Sequence, residues 1–257
     1  MPDSAPAISI IMPAYNAQAY ILEAIRSVQL QSFADWELIL IDDCSSDQTL
    51  SLIHTQMEAD SRLRLIQNPR NMGVSRSRNA GIAQARGKWV AFLDSDDCWH
   101  PEKLGRQLDF AKQNHCAFTF TGSSFMDETG RRLSYYLPAP SHLNFRQLLK
   151  QNLISCSSVL IRRDLLSSFP AASEQMHEDF ALWLQILKTS VPCAMGLDEP
   201  LLIYRVSSGS KSGNKLKAAL MTFRVYRYVG LSIPYSLYCW GWYVIRSLRK
   251  YATLKTG

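Results

Sequence analysis

Apolar residues in the first hundred positions alternate between short unbroken runs and segments with helical spacing. Ile8 to Met12 is such a run and predicts a strand, which Pro13 should stop. From Ala17 to Gln31, Ile21, Leu22, Ile25, Val28 and Leu30 recur with the period of a helix. Trp36 to Ile41 predicts a second strand running out into Asp42-Asp43, followed by a helix from about Gln48 to Ala59. Leu63 to Ile66 reads as a third, weaker strand, Gly73 to Ala85 as a helix and Lys88 to Leu93 as a fourth strand. Strands alternating with helices predict an α/β protein with a mostly parallel central sheet and helices on both faces.

Beyond Pro101 the pattern is mixed. It predicts a helix from Pro101 to about Gln113, a strand from Ala117 to Thr121 and a hairpin around Asp127 to Gly130. Residues 144–152 read as helical, Ser157 to Ile161 as extended, Asp179 to Leu187 as part of a helix and Leu201 to Arg205 as a strand. The implied organisation is a domain over 1–206, in which about 7–100 binds one ligand and about 101–206 closes over it and adds chemistry. A Ser/Gly-rich lid or linker at 207–215 and a helical tail at 216–257 complete the chain.

Polar residues gather where strands end. Pro13-Ala14-Tyr15-Asn16, Asp42-Asp43 and Asp94 to Asp97 all follow carboxyl ends of strands, the edge that forms the ligand crevice of open α/β sheets. Asp94-Ser95-Asp96-Asp97 sets three carboxylates in four positions, and in an extended chain Asp94 and Asp96 point to the same side. Such charges repel unless a cation lies between them. Oxygen ligands suit Mg²⁺ or Mn²⁺, most usefully an ion that also grips a diphosphate. Helix capping is the plainer alternative, because His100-Pro101-Glu102-Lys103-Leu104 has the form of a helix start.

Composition narrows the class. With 47% hydrophobic and 19% charged residues the chain is globular, and its 257 residues suffice for one substantial core. Met1 to Ala7 lacks the basic, apolar and small-residue order of a leader. Six scattered cysteines without a Cys-x-x-Cys pair suggest reduced thiols in a cytosolic protein. The net charge of +6 is uneven: nine of the 28 Lys and Arg, and no Asp or Glu, lie between Ser207 and Gly257. The rest carries 19 basic against 22 acidic residues, which does not fit a nucleic-acid binder.

Five motifs in register resemble the family 2 glycosyltransferases of the GT-A fold over roughly residues 7 to 210. They are Ile11-Met12-Pro13-Ala14-Tyr15-Asn16, Ile41-Asp42-Asp43-Cys44-Ser45-Ser46-Asp47, Asn71 to Gly81, Phe92 to Trp99 and His177-Glu178-Asp179-Phe180-Ala181-Leu182-Trp183. The resemblance implies a nucleotide-diphosphate sugar donor, with Pro13 and Tyr15 against the base, Asn16 and Ser95 nearby, Asp43 on base or ribose and Asp94 on ribose. It implies Mn²⁺ or Mg²⁺ on Asp96, Arg78 facing the anionic donor with Arg76 a surface charge, and Asp179 as general base for an inverting displacement. Core packing is the alternative for Tyr15, and helix capping for Asp97 and for Asp179. Asp97, Trp99, Glu178, Trp183 and Arg205 would line the acceptor side or support it, with the two tryptophans either flat faces for sugar rings or core. His177 would neighbour the base. Rival classes are a sugar-nucleotide nucleotidyltransferase and a non-catalytic membrane adaptor. The Pro13 to Asn16 segment lacks the Gly-rich, basic loop of the first rival.

Arg205 or Lys211 would meet phosphate if the segment from Tyr204 to Ser212 closes as a lid. Past it, Arg224, Arg227, Arg246, Arg249 and Lys250 flank Tyr228 to Ile245, an 18-residue stretch broken by Gly230, Pro234 and Gly241. Helices lying on an anionic membrane surface fit this pattern, with docking on the protein or a partner copy and insertion across the bilayer as alternatives. The tail resembles that of bacterial enzymes building cell-surface polysaccharides on polyprenyl-linked acceptors. That implies a cytoplasmic enzyme peripheral to the inner face of the membrane.

Overall fold

The computed structural model describes residues 5–166, 169, 176–206 and 215–254, with the backbone alone at 215–217 and 247–254. The expected lid with Lys211 lies outside the described residues, as do the side chains of Arg249 and Lys250. The first half follows the expected alternation: β1 (Ile8–Ala14), α1 (Ile21–Gln29), β2 (Trp36–Asp42), α2 (Thr49–Ala59), β3 (Leu63–Gln67), α3 (Val74–Gln84) and β4 (Trp89–Phe92). A short β5 (Cys98–Trp99) and α4 (Lys103–Gln113) come next. The second half comprises β6 (Phe118–Met126), β7 (Arg132–Leu137), β8 (His142–Leu143), α5 (Phe145–Leu148), β9 (Leu160–Arg162), α6 (Glu178–Thr189), β10 (Ala194–Arg205), α7 (Lys215–Tyr228) and α8 (Ile233–Leu254).

One sheet runs in the order β3-β2-β1-β4-β9-β6-β10-β5, with β7 added beside β6 and β8 beside β10. β3, β2, β1 and β4 are parallel, β9 is inserted antiparallel, and β6 and β10 are again parallel to each other. The order reverses between β1 and β4, so the crevice of an open α/β sheet falls at their carboxyl ends. Gly81 lets α3 lie close on β1 and β2: a Cβ there would stand 2.6 Å from Ile11 Cγ2 and 3.0 Å from Ile41 Cδ1.

Several boundaries differ from expectation for physical reasons. β1 continues through Pro13, which pairs in register with Ile41. The Ile11 carbonyl accepts the Leu93 N–H, so position 13, two residues on, faces the same neighbour, and β4 has ended by then. No ladder bond is lost to the missing N–H. α1 starts at Ile21 rather than Ala17, because the Ala17 and Gln18 amides donate to Thr49 Oγ1 (2.7 Å) and Asp47 Oδ2 (3.1 Å), which follow β2. The helix expected over 144–152 shrinks to Phe145–Leu148, entered through a capping box of Asn144 and Gln147. It ends as Lys150 and Gln151 donate to carbonyls three residues back and the Tyr226 hydroxyl takes the Leu149 carbonyl. β10 begins seven residues earlier than expected; Asp198-Glu199-Pro200 conceals it, and a register shift between Leu197 and Leu202 accommodates them.

The tail is not an appendage. Met221, Val225, Tyr226, Val229, Leu231 and Cys239 are buried, and five of these six belong to the main core cluster that also holds α6. Lys188 Nζ donates to the Val229 carbonyl at 2.8 Å, and Trp240 Nε1 to the Ala219 carbonyl at 2.7 Å. Of the three placements considered for the tail, its inner face takes docking on the protein itself. Among the described residues no helix is long and apolar enough to cross a membrane. Burying a large apolar side chain contributes about 1.5–3 kcal/mol. Six of them approach the roughly 5–15 kcal/mol that holds a typical domain together. A chain truncated after residue 206 should therefore lose its cooperative thermal transition in circular dichroism, and an intact transition would show the tail to be separable.

Candidate functional site

A cavity of about 610 Å³ lies against the end of β4, walled by residues from both halves of the chain. On one side stand Arg78 from α3 and Asp94; on another, His177, Glu178 and Asp179 at the start of α6. The segment Asn152–Ser157 and Tyr204 close a third side. The β6–β7 hairpin contributes Phe125, Leu133, Tyr135 and Leu137, and the tail helices contribute Met221 and Tyr243.

Arg78 joins the two acidic elements. Buried to 4% exposure, its Nη2 donates to Asp94 Oδ1 at 2.6 Å and its Nη1 to Glu178 Oε1 at 3.4 Å. Arg76, two residues earlier, is exposed, as a helix requires. Asp94 is further fixed by donating its N–H to Ser157 Oγ at 3.1 Å. Asp179 is not the N-cap of α6, a position held by His177, but lies in the first turn. Its Oδ1 accepts the Phe180 N–H at 2.7 Å. His177 Nε2 contacts the Ala218 carbonyl of α7 at 3.3 Å, so the tail orients the residue that caps α6.

Of the expected donor-side residues, Arg78 and Asp94 line the cavity, whereas Pro13, Tyr15, Asn16, Asp43 and Ser95 lie outside its wall. Pro13 is buried within β1, which leaves Tyr15, 50% exposed, as the aromatic open to a ligand. Asn16, at φ 48°, accepts from the Ser46 N–H at 2.8 Å and ties the loops after β1 and β2 together. Asp43 is held by bonds from within the protein. It is 4% exposed, and its oxygens accept from Asn68 Nδ2 (2.6 Å), Met72 N–H (2.8 Å) and Gly73 N–H (2.8 Å). It thereby sets the loop before α3, where Gly73 supplies the φ of 84°. Ser95 is partly exposed in the turn closed by the Asp97 N–H on the Asp94 carbonyl.

Trp99, Trp183, Arg205 and Asp97, expected to line the acceptor side or support it, are buried. Trp99 is 2% exposed, donates Nε1 to the Ser157 carbonyl at 2.8 Å and carries the Lys103 ammonium 4.2 Å above its ring. Trp183 is fully buried among Phe118, Phe92 and Phe169 at centroid distances of 5.2, 6.0 and 6.2 Å. Neither offers a face to a sugar. Arg205 does not meet the acceptor: its side chain, 1% exposed, pairs with Glu23 and donates to the Asp96 carbonyl at 2.8 Å. Asp97 caps no helix, since α4 is capped at Glu102; its Oδ1 accepts the Arg205 N–H at 3.0 Å. Arg205 and Asp97 together clamp the acidic turn to the end of β10.

Among the described residues no other side chain donates a hydrogen bond to the carboxylate of Asp96. Burial first, and then the charge of Asp94, push its carboxyl up to about 6. Asp97 is held well above the usual carboxylate range by burial and by both neighbouring carboxylates. Among the described residues no three His, Cys, Asp or Glu side chains converge as a complete metal cage. The Asp96 carboxylate, whose ionisation the charge of Asp94 opposes, nevertheless fits Mn²⁺ or Mg²⁺, hard ions that complete their shell with water or phosphate oxygens. Sequence reasoning missed Cys156, Ser157, Met221 and Tyr243. The alternation Leu133-x-Tyr135-x-Leu137 was the one available signal for the apolar wall.

The model of the family "Glycosyl transferase family 2" matches residues 9–169. The chain is 37% identical over 246 residues to the putative teichuronic acid biosynthesis glycosyltransferase TuaG of Bacillus subtilis, covering 95% of this chain and 97% of that one. It is 37% identical over 213 residues to the UDP-Glc:alpha-D-GlcNAc-diphosphoundecaprenol beta-1,3-glucosyltransferase WfgD of Escherichia coli, covering 82% of this chain and 81% of that one. Among solved structures, S. aureus TarS in complex with UDP-GlcNAc superimposes with a TM-score of 0.71 at 22% identity, over 92% of this chain and 71% of that one. The fold is thus the GT-A fold that the motifs implied.

Proposed function

Because the chain belongs to glycosyl transferase family 2, and is accordingly a glycosyltransferase rather than a nucleotidyltransferase or a mere adaptor, we propose that it moves a sugar from a nucleotide-diphosphate sugar, with inversion, to a lipid-linked saccharide during cell-surface polysaccharide synthesis. The observation that carries the proposal is that Asp94 and Asp179 face one cavity, and the buried Arg78 ties Asp94 to Glu178, the residue before Asp179.

Asp179 takes the proton of the attacking hydroxyl as its oxygen closes on the anomeric carbon, because a neutral alcohol is a weak nucleophile. The sugar develops oxocarbenium character as its bond to the diphosphate breaks. Arg78 holds Asp94 on the ribose side and fixes Glu178 beside the base. Tyr15, Asn16 and Ser95 lie along the nucleotide. Asp96 with Asp94 would hold Mn²⁺ or Mg²⁺, which when bound offsets the charge of the departing diphosphate. The basic tail would rest on the anionic inner face of the membrane, keeping a cytoplasmic enzyme beside its lipid-linked substrate.

The test is transfer by the purified full chain, with Mn²⁺, from a panel of nucleotide-diphosphate sugars beginning with UDP-glucose. N-acetylglucosamine linked to undecaprenyl diphosphate serves as acceptor. One product with inverted anomeric configuration by NMR is expected. Retention of configuration, or no transfer from any donor, would overturn the proposal.

A further inference from the structure

The outer surface of α8 carries a feature that the reaction itself does not use. Tyr235, Tyr238, Trp242 and Ile245 follow one another at intervals of three, four and three and therefore share one helix face. They are 40%, 54%, 39% and 46% exposed, and the Tyr235 and Tyr238 rings stack 6.1 Å apart. Ser236 and Cys239, on the adjoining flank that turns toward the core, are buried, and Tyr243 stacks on Phe180 at 6.3 Å. A stripe of four large apolar side chains in the open marks a surface with a ligand.

Two cations flank the stripe. Lys150 Nζ lies 6.0 Å from the Trp242 ring centre, and Arg146, exposed on α5, stands four residues earlier. No salt bridge to either is found among the described residues. Lys150 also stands two positions before Asn152, where the chain begins to form the cavity wall, and Tyr243 of α8 lines the same cavity. Aromatic stripe, cations and cavity mouth are therefore contiguous. A ligand matching this sequence of surfaces is apolar along the helix, anionic at Lys150 and Arg146, and polar where it enters the cavity.

We infer that the stripe on α8, with Lys150 and Arg146, is the binding track for an isoprenoid diphosphate, the carrier that presents the acceptor saccharide to Asp179. The inference rests on the lipid-linked acceptor of the proposed function and adds where its carrier is held. Aromatic faces suit an unsaturated hydrocarbon chain, and paired cations suit a diphosphate through charge-assisted hydrogen bonds.

Farnesyl diphosphate is a water-soluble probe of this track. Calorimetry on the full chain, with UDP and Mn²⁺ occupying the donor side, should show it binding at least about tenfold more tightly than farnesol or inorganic pyrophosphate. Lys150→Gln and Trp242→Ala should each weaken it by about tenfold, the factor that one charge-assisted bond or one aromatic contact supplies. UDP affinity should not change in either variant. Tyr238→Ser, at a more exposed position, serves if Trp242→Ala fails to fold. Unchanged farnesyl diphosphate affinity in the variants would overturn the track. So would pyrophosphate binding as tightly, or loss confined to phosphatidylglycerol vesicles, which would make the stripe a bilayer contact. A protein that binds farnesyl diphosphate as expected yet transfers nothing to a lipid-linked saccharide would keep the track and lose the reaction, so the two failures are distinguishable.

Discussion

Replacing Asp179 by asparagine should lower kcat by roughly 10²–10⁴-fold, the range general-base catalysis supplies, while nucleotide-sugar affinity stays within about twofold. The substitution is nearly isosteric. The amide oxygen can still accept the Phe180 N–H that Oδ1 now accepts at 2.7 Å, so the start of α6 should persist. What disappears is the basic oxygen facing the cavity. Glu178 does not substitute for it, because it is 8% exposed and paired with Arg78. Steady-state kinetics with the donor found in the panel, together with nucleotide calorimetry, make the measurement. A kcat within threefold of the native value would remove Asp179 as the base.

Asp96→Asn should produce a protein that is more stable and inactive. A carboxyl whose folded pKa is raised to about 6 from 3.8 binds its proton more tightly in the folded state. Folding is therefore favoured at low pH, and that contribution is lost as pH rises from about 4 through about 6. At pH 7 the ionised Asp96 costs on the order of 1–3 kcal/mol by this linkage, and the neutral amide removes the cost. A rise in Tm of several degrees at pH 7, vanishing near pH 4, is expected without added metal. In the native protein, Mn²⁺-dependent nucleotide binding should weaken as pH falls through about 6, because the ion must displace the proton. Calorimetry in buffers of different ionisation enthalpy reads that displacement directly. An Asn variant that still binds nucleotide in a Mn²⁺-dependent manner, or melts below the native protein at pH 7, would contradict the assignment.

The pattern of apolar residues was enough for the first half of the sheet, because each parallel strand buried on both faces must be an apolar run and each covering helix must show its own period. Asp94 to Asp97 and Glu178-Asp179 stood out because clustered charge is locally costly wherever it lies. Roles that depend on direction were not legible. A tryptophan reads as apolar in any sequence, and only the packing of Phe92, Phe118 and Phe169 showed that Trp183 has no free face. Arg205 looks like a phosphate ligand until β10 turns it toward Glu23 and the Asp96 carbonyl. That Asp43 is held from within the protein shows only once the loop from Asn68 to Gly73 folds onto it.

The tail divides the two kinds of information most sharply. Basic and aromatic residues at helical spacing are equally suited to a membrane surface and to a protein core. The sequence thus determined that α7 and α8 would be amphipathic, but not what each face would meet. Tertiary structure decided that the Val225, Tyr226 and Cys239 face closes the core while the Tyr238 and Trp242 face stays open. Helix period is written in neighbouring residues, whereas burial depends on partners, here Leu149, Phe180 and Lys188, more than forty positions distant. Local chemistry therefore announced an acidic, strand-end site in the one-dimensional chain, and long-range packing chose which side chains face it.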